Sequence, residues 1–363
     1  MIGIIFVSNL KFCPYLTKYT NVLDKNKIAY QIIYWNRVDV KDEIKENHIV
    51  FNRKSKLKKS KILKVFDFLA YSIWLNKIII KNRYKKMIIL STIPGIILKS
   101  KIIKNYNNKF IFDIRDYSYE NIKLFFLREK KVIQNANFVA ISSDGFREFL
   151  PKNQEYVTIH NFSYDELCSA REAEFKLNKS TRTNIGWVGT VRYYDHQVRL
   201  INKVADSKNF ILHFFGIGPD YEKLKKYVDN NKLDNIKFHG EYSVSDKMKI
   251  MNQIDIVHNN YESKNTLETK YAVSNKFYDG LIFKKPQFVE PGSFKESLLV
   301  KYKVGISIDI NKNDFLFKLK EYYRSIDAEH FNRNCVVAME NFKNEEEVFN
   351  DKLKDFIECE GIV

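Results

Sequence analysis

A chain of 363 residues with 45% hydrophobic and 15% aromatic residues can form the cores of two ordinary domains, which excludes global disorder. Its formal net charge of +17 indicates an anionic surface or anionic substrates as partners, although the lysine bias of an A/T-rich genome would give the same excess. The four cysteines, Cys13, Cys168, Cys335 and Cys359, lie far apart without a CxxC pair, and the seven histidines form no HxxxH pair. We therefore expect reduced thiols and no protein-bound metal.

The hydrophobic segments are too short or too charged to cross a membrane. No uncharged run reaches the ~18–20 residues that a transmembrane helix requires. The opening segment MIGIIFV has no basic leader and is predicted to be a buried strand, not a signal peptide. We expect a cytoplasmic protein, with peripheral contact at the inner face of the cell membrane left open.

Short apolar runs alternate with longer helical patterns along the whole chain. Such continuous apolar runs are typical of parallel strands that are buried on both faces. The alternation predicts an α/β fold with two doubly wound parallel sheets. The predicted strands are 2–7, 29–34, 87–90, 110–114, 138–141 and 156–159 in the first half, and 184–191, 210–215, 236–239, 254–257, 287–289 and 304–308 in the second.

The composition also predicts where the domains meet. A first domain is expected over 1–165, a polar linker over 166–182 and a second domain over 183–321. The remaining segment, 322–363, is charged and helical, and we expect it to pack back on the first domain.

Glycines follow two of the predicted strands in the second half. Gly189 and Thr190 end one strand, where a glycine lets backbone approach a ligand and the nearby Arg192 can neutralise a pyrophosphate. The alternative is a strand-end glycine beside a surface arginine. Gly216 and Gly218 lie between another strand and a helix; a lone GxG is a weak nucleotide signal, strengthened by its place at a strand end.

Two further segments follow in the same half. His239 ends the next strand, where a histidine is more often structural than functional. Ser274, Asn275 and Lys276 begin a helix, whose N-terminus suits a phosphate. Asp279, one turn further in, can accept two sugar hydroxyls. A helix N-terminus and a carboxylate one turn further in are the features needed to bind a nucleotide diphosphate.

The ordered set of motifs resembles the carboxyl-terminal domain of GT-B glycosyltransferases, closest to glycosyltransferase family 4. The first half agrees, because FDIRD at 112–116 resembles that group's D-x-R-D element and His160-Asn161 its HN pair. The resemblance implies two Rossmann-like domains facing a cleft, with a C-terminal helical segment. It also implies sugar transfer from a nucleotide diphosphate sugar, with UDP favoured, to a hydroxyl of a capsule or lipopolysaccharide acceptor, with retention and without a metal.

The resemblance also assigns roles to the residues. Asp279 would hold the ribose, the Val273–Lys276 turn, with Ser274, Asn275 and Lys276, would meet the diphosphate, and Arg192 would stabilise the leaving diphosphate. Gly189, Thr190, Gly216, Gly218 and His239 complete the expected nucleotide-sugar site. The sequence departs from the family at Tyr271, where an acid is usual; Glu268 and Glu262 are the nearest carboxylates.

The first domain offers a candidate acceptor side. Asp116 could position or deprotonate an acceptor hydroxyl, or else pair with Arg115 to cap a strand. Arg115, together with the basic residues Lys58, Lys59 and Lys61, is a candidate acceptor or membrane face, for example toward a polyprenyl-diphosphate-linked glycan on anionic lipid. The alternative is a solvated loop. Glu129 is predicted to be a solvated helix charge.

Two other functions remain open, and one is disfavoured. A GT-B-fold sugar-nucleotide epimerase would need several acid/base carboxylates around the sugar. A non-catalytic nucleotide- or glycan-binding assembly partner would tolerate the missing acid at Tyr271. Nucleic acid is not expected as a partner, because no helix-turn-helix, RNP or zinc motif occurs.

Overall fold

The computed structural model describes residues 1–38, 42–55, 61–178, 180–261 and 267–359, without the side chains of 61–64. The chain forms two compact units, unit 1 (Met1–His160 with Asn344–Val363) and unit 2 (Asn161–Lys343). The first unit thus ends before the expected residue 165. Of the segment 322–363, only the part from Asn344 onward belongs to unit 1.

Unit 1 contains a seven-stranded parallel sheet in the order β3-β2-β1-β4-β5-β6-β7. All side chains of β1 and β5 are buried, as expected for strands that are covered on both faces. The edge strand β3 was not predicted, because its apolar run, Ile49–Phe51, has only three residues; its side chains are half-buried or exposed. The strands are β1 (Ile2–Phe6), β2 (Tyr30–Asn36), β3 (His48–Asn52), β4 (Lys86–Leu90), β5 (Phe110–Ile114), β6 (Phe138–Ile141) and β7 (Tyr156–Thr158).

The helices of unit 1 cover this sheet. They are α1 (Leu16–Lys25), α2 (Lys61–Asn82), α3 (Thr92–Tyr106) and α4 (Lys123–Ile133). Helix α2 is apolar on its inner and outer faces, yet none of the helices that the structure describes is long and apolar enough to span a bilayer.

The core of unit 1 includes residues from the end of the chain. Leu16, Tyr19 and Leu23 form the buried face of α1, with helical spacing. The Tyr19 ring packs edge-on against Phe349, with centroids 5.1 Å apart, and Phe356 packs in the same way against Phe138 at 6.4 Å. The end of the last helix therefore completes the core of unit 1.

Glu129 on α4 is fully buried, so the prediction of a solvated charge was wrong. It lies one turn before Val132 and Ile133, which are also buried, so it shares the inner face of the helix. Neither carboxylate oxygen has a hydrogen-bond partner among the described residues. Burial, and secondarily the nearby Glu120, raises the pKa of Glu129 to about 9.

Unit 2 contains a six-stranded parallel sheet in the order β10-β9-β8-β11-β12-β13. Its strands are β8 (Thr183–Val188), β9 (Phe210–Phe215), β10 (Ile236–Gly240), β11 (Ile256–His258), β12 (Gln287–Val289) and β13 (Gly305–Ser307). Its helices are α5 (Tyr164–Ser169), α6 (Tyr194–Ala205), α7 (Tyr221–Asn230), α8 (Lys247–Met251), α9 (Leu267–Tyr271), α10 (Asn275–Ile282), α11 (Phe294–Tyr302), α12 (Phe315–Ser325) and the first half of α13 (Ala328–Glu358).

The predicted pair of doubly wound parallel sheets is confirmed. In unit 2 the strand order reverses at β8, which pairs with β9 on one side and β11 on the other. Chain connections leave these neighbours in opposite directions, so a crevice opens at their carboxyl ends, where ligands of open α/β sheets bind.

Candidate functional site

The candidate site lies in unit 2 at the carboxyl ends of β8, β11 and β12. Gly189 follows β8 with φ of +118°, a conformation that side-chain-bearing residues rarely adopt. Its amide donates to the Phe215 carbonyl at 2.9 Å, and a Cβ at this position would have no neighbour within 4 Å among the residues that the structure describes. The space beside this backbone is therefore open to a ligand. Thr190 is exposed, and its carbonyl accepts a hydrogen bond of 3.2 Å from Trp187 Nε1.

Gly216 and Gly218 have a packing role. A Cβ on Gly216 would lie 2.2 Å from the carbonyl oxygen of Gly189, and one on Gly218 would lie 2.3 Å from that of Val191. Only glycines at these two positions let the loops after β8 and β9 lie against each other. They shape the crevice, and direct contact with a ligand stays a prediction.

Helix α10 begins as predicted, and a hydrogen-bond chain holds its first turn in place. Ser274 precedes it in extended conformation and donates its hydroxyl to Asn259 Oδ1 at 2.6 Å. Asn259 in turn donates to Gln287 Oε1 at 2.8 Å. These bonds join the start of α10 to the ends of β11 and β12. Asn275 is exposed at the first position of the helix.

Lys276 is buried, unlike most lysines. Its Nζ lies 3.5 Å from the ring centroid of Trp187 and 4.9 Å from that of Tyr261. Burial lowers the pKa of Lys276 well below its usual value, and the charges of Arg192 and Lys295 lower it further. Two aromatic faces compensate a buried ammonium only in part, so an anion placed beside it would be strongly favoured.

Lys295 on α11 is a second buried lysine in the same place. Its Nζ contacts Glu290 Oε1 at 2.9 Å, donates to the Asn259 carbonyl at 3.1 Å and lies 4.1 Å from the Tyr261 ring. Burial lowers its pKa, against the opposing effect of Glu290. Both lysines therefore approach the ring of Tyr261.

Arg192 is the third cation. The Arg192 side chain is 43% exposed, and its Nη1 lies 3.9 Å from Glu268 Oε1. An exposed ion pair at this distance is weak. Arg192 is close enough to lower the pKa of both Lys276 and Lys295. We name Arg192, Lys276 and Lys295 the cation cluster. Three cations at a strand-end crevice suit a ligand with several negative charges, such as a diphosphate.

Asp279 is buried near the cation cluster, and it pairs with Lys247, a residue that was not predicted. Its Oδ1 lies 2.8 Å from Nζ of Lys247, which also donates to Glu166 Oε1 at 2.8 Å. Burial raises the pKa of Asp279 to about 6, and the charge of Lys247 opposes this rise. The carboxylate is therefore held in place by a charged partner.

His239 lies on the edge strand β10. Its ring stacks on Phe215 with centroids 4.1 Å apart, and its Nε2 lies 3.0 Å from His213 Nδ1. Burial and the nearby Lys237 lower the pKa of His239. The exposed, neutral ring offers a flat surface at the end of β10, and its contact with a nucleotide stays a prediction.

The candidate acceptor-side residues Arg115 and Asp116 lie in unit 1. Arg115 is buried, pairs with Asp113 with Nε 2.6 Å from Oδ1, and donates to the Ile159 carbonyl at 3.1 Å. It does not lie on an exposed acceptor or membrane face, and the prediction is corrected. Asp116 is exposed just after the end of β5.

Several predicted positions fall outside the described residues or have no described side chain. Lys58, Lys59 and Glu262 lie outside the described residues, and Lys61 begins α2 without a described side chain. The basic face predicted there stays a prediction. Among the described residues, no three His, Cys, Asp or Glu side chains converge as a metal site would require.

Sequence reasoning missed three residues that build this site. Lys247 and Lys295 are lysines near helix starts, a pattern that usually indicates solvent exposure. Tyr261 follows β11 without a recognisable motif. The one available signal was the place of Tyr261 and Lys295 just after the strands β11 and β12.

No family model matches the sequence, and no curated protein matches it significantly. Solved structures do match. Sucrose-phosphate synthase from Thermosynechococcus elongatus is similar over 99% of both chains, with a TM-score of 0.72 and 12% identity. Anabaena Alr3699/HepE, solved with UDP and glucose, covers 99% of both chains with a TM-score of 0.64 and 12% identity. The lipopolysaccharide outer core galactosyltransferase WaaB matches 96% of this chain and 99% of its own, with a TM-score of 0.57 and 14% identity.

The chain has the GT-B fold. Its two Rossmann-like units match the architecture of these glycosyltransferases along nearly their whole length. At 10–14% identity over the full-length matches, this likeness concerns the fold. The cation cluster and Asp279 therefore have to be judged by their own chemistry.

Proposed function

We propose that the protein is a glycosyltransferase that moves a sugar from a nucleotide diphosphate sugar, with UDP as the favoured nucleotide, to a hydroxyl of a bacterial surface glycan. The observation that carries the proposal is the cation cluster at the carboxyl edge of the unit 2 sheet. Three cations, two of them buried, are arranged where a GT-B fold leaves a crevice. The UDP in the HepE structure and the galactosyl transfer in the name of WaaB support this substrate class.

The proposed chemistry is electrostatic. As the bond between sugar and diphosphate breaks, negative charge grows on the leaving diphosphate, and Arg192 and Lys276 stabilise it. Lys295, tied to Glu290, holds the cluster in shape. Asp279, fixed by Lys247, accepts ribose hydroxyls. No resident metal is part of this proposal, so chelators should leave the rate unchanged.

The acceptor side rests on the family resemblance. We assign Asp116 the orientation or deprotonation of the acceptor hydroxyl and expect retention at the anomeric carbon. An acceptor attached to polyprenyl diphosphate in the cell membrane fits the basic charge of the chain.

A panel of UDP-, GDP- and CMP-sugars tests the proposal, with slow hydrolysis or nucleotide release as the readout. Arg192→Ala should lower kcat by about 100-fold, the usual effect of removing one charge-stabilising group. Asp279→Ala should lower turnover strongly as well. Arg182→Ala, an exposed arginine just before β8, is the matched control. Wild-type rates in both site variants would refute the assignment.

A non-catalytic nucleotide-binding partner is the second candidate. Tyr271 at the position of the missing acid, and a carboxylate already paired with Lys247, favour it. This candidate predicts tight UDP binding without turnover of any sugar nucleotide in the panel.

A further inference from the structure

Helix α2 presents an apolar stripe to solvent. Tyr71, Leu75 and Ile79 form its buried face, as expected. The opposite face of a surface helix is normally polar, but here it carries large hydrophobic side chains. Phe66 is 60% exposed, and the others exceed half exposure: Val65, Leu69, Ile73 and Ile80. The stripe from Phe66 to Ile80 is about 20 Å long, and Lys77 lies on the same face between Ile73 and Ile80. Large exposed apolar side chains gathered on one helix face mark an interaction site.

A basic pocket lies at the end of the stripe. Its volume is about 400 Å³, and Ile80 is shared between the pocket and the stripe. The cations that line the pocket are Arg83, Lys85, Lys101 and Lys109, and no carboxylate of the described residues lines it. Lys85 precedes β4 and Lys109 precedes β5, so the pocket lies at the amino edge of the unit 1 sheet. Tyr106 adds an aromatic wall.

The charge around both features has one sign. Between residues 61 and 109 the sequence has eleven lysines and arginines and a single acid, Asp67. Asp67 is 1% exposed and accepts a hydrogen bond of 2.8 Å from Arg53 Nε. Lys77 and Lys81 are exposed along the outer face of α2 itself. Within residues 61–109 the stripe therefore has a basic rim without an exposed acid.

We infer that this surface of unit 1, formed by the α2 stripe and the basic pocket, docks on an anionic phospholipid bilayer. The apolar side chains would enter the interface between headgroups and acyl chains, and the pocket would hold a lipid phosphate. A nucleic acid would match the cations but leave the apolar stripe in water. A protein partner would match the stripe, but four clustered cations without an acid specify a surface dense in phosphate.

The test is flotation of the full chain with vesicles. Wild-type protein should bind phosphatidylcholine vesicles that contain about 30% phosphatidylglycerol, and it should bind pure phosphatidylcholine vesicles at least tenfold less. Added salt should weaken the binding to the anionic vesicles. Phe66→Ser combined with Ile73→Ser should lower partitioning at least tenfold, because two apolar side chains that would enter the bilayer interface are lost. Lys101→Ala combined with Lys109→Ala should lower it at least fivefold, by removal of two cations.

Matched controls lie in unit 2. Phe317→Ser removes a side chain that is 64% exposed, and Lys225→Ala with Lys226→Ala removes two exposed lysines of α7. These controls should bind vesicles like wild type. The inference fails if the wild-type protein does not bind anionic vesicles or if the Phe66/Ile73 variant binds them normally. It also fails if inorganic phosphate or duplex DNA, at the same phosphate concentration as the vesicles, displaces the protein from them. Because the readout is lipid binding, this result is independent of glycosyl transfer.

Discussion

Lys247 Nζ lies 2.8 Å from Asp279 Oδ1, so the carboxylate expected to hold the ribose has a lysine partner that comes from a different helix. The same lysine contacts Glu166, and all three side chains are at least 87% buried, because their exposed fractions are 11%, 5% and 13%. One ammonium group thus balances two carboxylates. The site depends on this contact for its shape.

Lys247→Met should destabilise unit 2 by about 2–4 kcal/mol, because it leaves Asp279 and Glu166 without a counter-charge. The loss should increase as pH rises through about 6, where Asp279 ionises, and shrink at lower pH, where the proton neutralises it. Thermal unfolding across this pH range measures the effect. Lys249→Met, an exposed lysine on the same helix, should change nothing. A pH-independent loss would contradict the charge argument.

Lys276→Met should weaken binding of UDP about 10- to 100-fold, because the buried cation is removed while an unbranched side chain of similar length is kept. Calorimetric titration of the purified variant provides the measurement. Lys301→Met on α11 removes an exposed lysine and serves as the control. Unchanged affinity in Lys276→Met would remove this residue from the phosphate site.

Binding of UDP should take up protons. In the free protein, burial and the neighbouring cations lower the pKa of Lys276, and a bound diphosphate raises it again. Affinity should therefore be constant below the pKa of free Lys276 and fall as pH rises from that value toward the pKa in the complex. Titrations above about pH 7.5, where the phosphates are fully ionised, in buffers of different ionisation enthalpy, count the protons. Lys276→Met should show no uptake.

Glu129→Gln should stabilise unit 1 at neutral and alkaline pH. The pKa of Glu129 is raised to about 9 in the folded protein, so the folded state retains a proton that the unfolded state loses near pH 4.5. Wild-type stability therefore falls as pH rises between these values, and the amide avoids the loss. We expect a gain of roughly 1–3 kcal/mol at about pH 8, none at about pH 4, and a melting temperature higher by several degrees. The exposed Glu148→Gln is the control.

Gly216→Ala should disturb the site more than its single methyl group suggests. The added Cβ would meet the Gly189 carbonyl at 2.2 Å, and φ of +120° strains any side-chain-bearing residue. We expect a loss of about 2–4 kcal/mol and weaker UDP binding, because the loop that carries Arg192 has to move. Differential scanning calorimetry and titration check both effects. Gly292→Ala, with φ of +76° and an open site, isolates the cost of φ alone.

The periodicity of apolar residues predicted the two parallel sheets, because strands buried on both faces leave a strong one-dimensional pattern. The apolar run of β3 has only three residues, Ile49–Phe51, and this strand was missed. The start of α10 was predicted from local chemistry at Ser274 and Asn275. The partners of Asp279 were not, because Lys247 lies 32 residues earlier in sequence and only the fold brings it to the site. Burial of Lys276 and Glu129 is likewise a tertiary property, since local sequence favours solvent for both.

The contacts of Phe349 and Phe356 with α1 and β6 have a consequence for biosynthesis. Both phenylalanines follow all of unit 2 in the chain, so the ribosome makes them after the second sheet is complete. During that interval Tyr19 and Phe138 lack their aromatic partners, so apolar surface of the first unit stays exposed to solvent. The order of translation therefore differs from the order in which the cores can close, and the nascent first unit is the natural client for a chaperone.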